Sequence, residues 1–365
     1  MDFTVSETQD ELAGLARKIL AGRGVSGGRP PGQAERESPW DDLAAAGVLA
    51  AGLPESLDGA GLGLLEQCSV LIELGRSASE VPYLASIVLG AGALAEFGTA
   101  SQQERWALPA GRGSVVLTAA LAEEDGDDPR SPTARAARSS DGGWVLSGVK
   151  TAVPAAPQAD LFLVPVAAAG GVLVFLVAPS DDGVRVAAQS LTDFASAGRV
   201  VLDGVALDED RVLGPGAEVA DWLVARATVG LCAAQAGVID RALEMTAEHA
   251  RSRVQFGRPI GSFQAVAQRL ADAYIDVEAA RLTMWQAAWL LDRGREADLA
   301  VATAKFWAAE AGHRVAHTAV HVHGGMGIDV TYPVHRYFAA ATQNEFALGG
   351  ATAQLRRIGT VLAGP

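Results

Sequence analysis

Between Glu7 and about Trp106, apolar residues recur at three- and four-residue spacing in segments separated by Gly and Pro. Leu12, Leu15 and Ile19 mark one such stripe, and Leu64, Cys68 and Leu71 another, so the pattern predicts a run of amphipathic helices. From about Ser114 to Gly214 the pattern shortens to Val/Leu runs bounded by Gly, Asp and Pro. These are Val115–Thr118, Trp144–Leu146, Leu161–Val166, Val172–Val177 and Arg199–Leu202, and they predict strands. Beyond Pro215, long Ala-rich stretches over roughly 217–252, 262–293 and 296–323 predict a helix bundle. The expected class is α+β multidomain, with an N-terminal helical domain over 1–112, a middle β domain over 113–214 and a C-terminal bundle over 215–365. Gly27–Glu37 and Glu123–Pro132 are polar and read as exposed loops.

The uncharged run Leu161–Pro179 approaches membrane-spanning length, but Pro165 and the Ala-Ala-Ala-Gly-Gly stretch at 167–171 divide it. A hairpin is expected there, not a membrane helix. At 365 residues and 49% hydrophobic, the chain is long enough and apolar enough to bury a sizeable core. A formal charge of −14 with no Lys/Arg block argues against nucleic acid or an anionic membrane as partner, and leaves room for one local phosphate site. Two cysteines, Cys68 and Cys232, sit among apolar neighbours and form neither a disulfide framework nor a metal quartet; with the acidic, amphipathic start, they point to the cytoplasm. The acidic run at 123–128 lacks the spacing of a calcium loop and reads as a solvated turn.

Two stretches carry chemistry. Arg253-Val-Gln-Phe256-Gly257-Arg-Pro259-Ile260-Gly-Ser-Phe263-Gln264 is followed by Leu270-Ala-Asp272 and Glu278-Ala-Ala-Arg281; later come Val320-His321-Val-His-Gly324-Gly325-Met-Gly327-Ile and Tyr332-Pro333-Val-His-Arg336-Tyr337. Together with Leu53-Pro54-Glu55, Gly59, Gly61, Gly63 and Glu80-Val-Pro82, these resemble the ordered signatures of the acyl-CoA dehydrogenases over essentially the whole chain. The resemblance implies that family's fold, FAD as cofactor, an acyl thioester of coenzyme A as substrate, and a dimer-based tetramer in which each FAD straddles two subunits.

Carried over residue by residue, the resemblance makes Arg253, Phe256, Gln264, Gly324 and Gly325 the binders of the adenine and pyrophosphate part of an FAD whose ring lies in the neighbouring subunit. His321 stands where the family usually has Gln and can still make that hydrogen bond. A guanidinium beside Gly-rich backbone amides suits a pyrophosphate on an otherwise acidic chain. His313, His317 and His321 share a helical face at metal-binding spacing, but no acidic fourth ligand is evident and the family uses no metal.

The other half of the site departs from the pattern. Dehydrogenation needs a carboxylate base, which the family places in one of two positions. At the turn after the last signature this chain has Leu348-Gly349-Gly350-Ala351-Thr352, in a register open by about two positions, and at the first-helix position it has Ala227. Glu345 lies before the turn and stays open as an unusual base. On the flavin-ring side, Thr118-Ala-Ala-Leu-Ala-Glu123-Glu-Asp replaces the family's Thr-Glu-Pro-x-Ala-Gly-Ser-Asp. Gly148-Val-Lys150-Thr-Ala152-Val-Pro154 puts Ala152 where an aromatic covers the flavin and Pro154 where a hydroxyl donates, and Thr228 replaces a substrate-side Arg.

These losses resemble the non-catalytic subunit of actinobacterial heterotetrameric dehydrogenases of steroid side chains. They imply an α2β2 assembly in which a homologous subunit supplies the Glu and holds most of the acyl-CoA, while this chain, inactive alone, completes the FAD site. The alternatives are a homomeric flavin oxidase or monooxygenase on the same fold, or a flavin-free binding protein.

Overall fold

The computed structural model describes residues 3–21, 39–124, 126, 128–140, 142–193 and 195–363. The segment Gly27–Glu37 lies outside the described residues. Helices come first: α1 (Glu7–Ala21), α2 (Pro39–Ala45), α3 (Leu64–Ser77), a π-helical stretch Tyr83–Ala91 running into α4 (Gly92–Phe97), α5 (Ala100–Gln102) and α6 (Leu108–Gly111). Leu64, Cys68 and Leu71 are buried on α3 as expected. On α1 the stripe is rotated: Ala13, Ala16 and Leu20 face the core and Leu15 lies at the surface, because small alanines let that face approach α3 closely.

A mixed seven-stranded sheet follows, of β1 (Leu117–Ala119), β2 (Arg135–Arg138), β3 (Trp144–Pro154), β4 (Leu161–Ala168), β5 (Gly171–Val177), β6 (Val184–Ser190) and β7 (Ser196–Leu207). Its order is β1-β4-β2-β3-β7-β6, and β5 pairs with β4. The β4–β5 pair is the expected hairpin, antiparallel from Phe162 opposite Val177 to Ala168 opposite Gly171. Strands β2 and β6 were not expected; most of their residues are at least partly exposed and lack a long apolar run. The Gln102 side-chain amide donates to the carbonyls of Asp210 (2.7 Å) and Val212 (3.2 Å), tying the helical region to the chain leaving the sheet.

The bundle comprises α7 (Gly216–Ser252), the short hairpin β8 (Val254–Gln255) and β9 (Arg258–Pro259), then α8 (Gln264–Asp292), α9 (Asp298–His323), α10 (Val334–Phe346) and α11 (Ala351–Ala363). α7 is 37 residues long and apolar enough to cross a membrane, yet its surface is mostly buried within the fold. It crosses α3 where a Cβ at Gly75 or at Gly237 would collide with the opposite backbone, so glycine is what permits that close approach. Three buried clusters result: one between the N-terminal helices and the bundle, one on a sheet face, and one among Val238, Val277, Val315, Tyr337 and their neighbours at the far end of the bundle. The far end carries the candidate site.

Candidate flavin-nucleotide site and its degenerate counterpart

α7 ends at Arg253, whose N–H donates to the His249 carbonyl (2.8 Å), and whose own carbonyl accepts from the Ile260 N–H (2.8 Å). Between them the chain makes a two-residue hairpin, with Val254 opposite Pro259 and Gln255 opposite Arg258. The turn residues Phe256 and Gly257 both have positive φ (53° and 78°), the primed-turn geometry that Asn-Gly usually supplies. A phenylalanine in that region is strained, and this one is 93% exposed. Its ring meets only the edge of Phe263 (centroids 6.1 Å apart), and Arg258 lies over Phe263 at 4.2 Å. A strained, exposed aromatic stabilises the folded chain little; it is presented outward.

Gln264 opens α8 and is exposed. The Arg253 side chain is also exposed and makes no hydrogen bond or ion pair among the described residues. At the end of α9, Gly324 takes φ 63°, ψ −139°, a conformation essentially closed to other residues, and space around Gly324 and Gly325 is open. His321 is exposed on the last turn of α9. The two segments are joined by stacked rings: His249, one turn before Arg253, lies 4.3 Å from His323, directly before Gly324. The structure thus sets Arg253, Phe256 and Gln264 at the same end of the bundle as His321, Gly324 and Gly325. An uncompensated guanidinium, open space beside two glycines and an outward aromatic together fit a dinucleotide's pyrophosphate and adenine.

The opposite half is built differently. Glu123 is not in a solvated turn; it is 9% exposed and its oxygens accept from Lys150 Nζ (2.6 Å), Thr133 Oγ1 (2.6 Å) and the Ala134 N–H (3.1 Å). Burial alone would raise its carboxyl, and the Lys150 and Thr133 hydrogen bonds outweigh that and hold it below the ordinary range; burial draws Lys150 down. An acidic string looked solvated because its cation stands in another strand. The neighbouring Thr151 N–H donates to the Ala122 carbonyl (3.0 Å), so the two segments resembling flavin-ring motifs do lie side by side. Thr118 is fully buried, and its hydroxyl donates to the Pro154 carbonyl (2.7 Å). Ala152 sits in a bulge of β3 with φ 48°, its N–H donating to Gln189 Oε1 (2.8 Å). No aromatic stands at that bulge.

Ala227 and Thr228 are buried on α7, and the Thr228 hydroxyl is spent on the Val224 carbonyl (2.7 Å). The 348–350 turn passes through positive φ at Leu348 (57°) and Gly349 (90°), and Gln354 Nε2 donates to both their carbonyls (3.1 and 3.2 Å). Glu345 points back at α9, Oε2 lying 3.2 Å from His313 Nδ1. Beneath it, fully buried Lys305 donates to the carbonyls of Asn344 and Glu345 (3.0 Å each), capping α10, and burial pushes it down to about 8. The His313 and His317 rings lie 4.2 Å apart, tilted by 30°, and no cluster of three His, Cys, Asp or Glu side chains able to hold a metal occurs among the described residues. Cys68 and Cys232 are buried and unpaired. Sequence reasoning missed the His249–His323 pair, since no spacing rule links rings on two separate helices.

Three family models match the chain: Acyl-CoA dehydrogenase, N-terminal domain, over residues 6–114; the middle domain over 118–205; and the C-terminal domain over 214–363. The chain is 50% identical over 379 residues to acyl-CoA dehydrogenase FadE27 of Mycobacterium tuberculosis, covering 100% of this chain and 99% of that protein. Among solved structures it is similar to the ChsE4–ChsE5 complex of Mycobacterium tuberculosis (TM-score 0.93, 49% identity, 100% of each chain) and to the Tcur3481–Tcur3483 steroid ACAD (TM-score 0.90, 40% identity, 99% of each chain).

Proposed function

The chain belongs to the acyl-CoA dehydrogenase family, and we propose that within it this chain is the non-catalytic subunit of a two-chain, FAD-dependent enzyme. The observation that carries the reading is the asymmetry of the two half-sites. Arg253 stands uncompensated at the end of the bundle where His249 stacks on His323, next to the open turn at Gly324 and Gly325. Neither family base position holds a carboxylate: Ala227 occupies one, the turn Leu348-Gly349-Gly350-Ala351-Thr352 covers the other, and Glu345 is engaged by His313.

The family's reaction, α,β-dehydrogenation of an acyl-CoA thioester, needs a base for the α proton and FAD as hydride acceptor. In this reading Arg253 would fork onto the FAD pyrophosphate, the open turn at Gly324 and Gly325 would let it approach the backbone closely, Phe256 would cover the adenine, and Gln264 and His321 would donate or accept at its edge. A homologous subunit supplies the Glu, the ring pocket and most of the acyl-CoA contacts. The two-chain ChsE4–ChsE5 and Tcur3481–Tcur3483 neighbours, the latter a steroid ACAD, support a two-chain assembly and a steroid substrate; the proposal adds one FAD per heterodimer, an α2β2 assembly and the steroid side chain as the acyl group. The compartment we propose is the cytoplasm, on the two unpaired cysteines.

The test is turnover of acyl-CoA esters, steroid-derived ones included, by the chain alone and after co-expression with a family member that carries the Glu. Activity is expected only from the pair. Turnover by the chain alone at the rate of the pair would overturn the reading.

A further inference from the structure

We infer that His249 and His323 form an acid-releasable clasp holding the Arg253 hairpin against the Gly324–Gly325 turn, an inference that rests on the functional reading above only for what the clasp grips. The rings come from parallel helices, α7 and α9, and each stands at the last turn of its helix, immediately upstream of one of the two segments. They stack at 4.3 Å with planes 24° apart, and Tyr332 tilts against His323 at 5.4 Å.

His323 is 5% exposed. Its Nδ1 faces the Ala319 carbonyl at 2.8 Å and carries the proton there, while Nε2 is buried with no hydrogen-bond partner. A second proton on that ring would bury an N–H with no acceptor and set a cation against the neighbouring imidazole. The charged or titratable groups that reach the pair are Arg253, cationic throughout, and Tyr332; neither ring is hydrogen-bonded to a carboxylate among the described residues. Nothing in contact therefore neutralises a charge gained here. In agreement, burial lowers both imidazoles, with His323 and Arg253 lowering His249 further.

The sign follows from linkage. A histidine whose folded affinity for a proton is lowered contributes stability that is complete above its ordinary value of 6.5 and is lost as pH falls below it. The first structure to give way is the one the stack holds, the junction of the two nucleotide-binding segments.

The experiment is hydrogen exchange on the full chain from about pH 8 to about pH 5, expressed as protection factors so that intrinsic exchange chemistry cancels. Protection over 249–264 and 321–328 is expected to fall about tenfold on acidification, while 161–177 in the sheet stays constant. The double variant His249→Phe with His323→Phe is expected to hold its protection, whereas in His249→Phe alone, which keeps a ring on the half-buried side, His323 still titrates and acid opening is expected to persist with a lower midpoint. Should the double variant not fold, His249→Phe alone decides. PH-independent protection in the unaltered chain, or acid opening that persists in His249→Phe with the same midpoint, overturns the clasp. Flavin release from the two-chain complex, followed over the same range, separates the two claims. Flavin lost at the midpoint of opening supports both, whereas a complex without flavin at any pH, in a chain that still opens, supports the clasp and defeats the functional reading.

Discussion

Replacing Arg253 by Ala in the two-chain complex isolates the electrostatic part of the proposed flavin contact. The side chain is exposed and makes no hydrogen bond or ion pair among the described residues, so the fold has little to lose. A surface substitution of this kind changes stability by at most about 0.5 kcal/mol. A charge-assisted hydrogen bond to a phosphate contributes about 1.5–3 kcal/mol, which is about 10- to 150-fold in dissociation constant. Exposure and salt screening favour the lower part of that range. Arg253→Lys keeps the charge and loses the planar fork, so it falls between parent and Ala. The assay is equilibrium binding of FAD to the flavin-stripped complex at fixed ionic strength, followed by flavin fluorescence, with thermal melting of each variant as control. Unchanged affinity in Arg253→Ala would remove this residue from the site.

Three further outcomes follow. Phe256→Gly is expected to stabilise the chain by about 1 kcal/mol, because glycine adopts positive φ without strain, and at the same time to weaken FAD binding; a melting temperature that falls with intact flavin affinity would contradict both halves. Lys305, at about 8 in the fold against 10.5 as its ordinary value, binds its proton less tightly folded than unfolded. Its penalty, about 3 kcal/mol, is full below pH 8 and fades as pH rises to 10.5. The stability difference between parent and Lys305→Met should therefore move in the parent's favour across that window, and denaturant midpoints with a pH-independent difference would refute it. Gly350→Glu, whose Cβ would meet only ordinary contacts with the Glu345 carbonyl and the Phe346 ring, should not yield acyl-CoA turnover without a partner, because proximity to a held substrate supplies much of a base's effect; turnover like that of ordinary family members would show an intact pocket.

Much of the fold was legible because its signals are local. Apolar spacing marked α3 and the bundle helices, and Pro165 with the following glycines marked the β4–β5 hairpin. β2 and β6 were not, since their exposed residues lack an apolar run and their pairing partners lie far along the chain. In the site, Arg253 to Gln264 form one contiguous segment, the β8–β9 hairpin and the turn into α8, so a local motif could mark it. Glu123 was misread because what decides its state is Lys150, buried beside it from another strand. His249 and His323 become a unit only when α7 and α9 pack.

The central claim, a flavin held between two unlike chains, is tested most directly by counting flavin. FAD per protein is measured spectroscopically for this chain purified alone and for the complex with a Glu-bearing homologue. The account predicts little flavin on the isolated chain and one FAD per heterodimer in the complex. A yellow, nearly stoichiometric assembly of this chain with itself would contradict it.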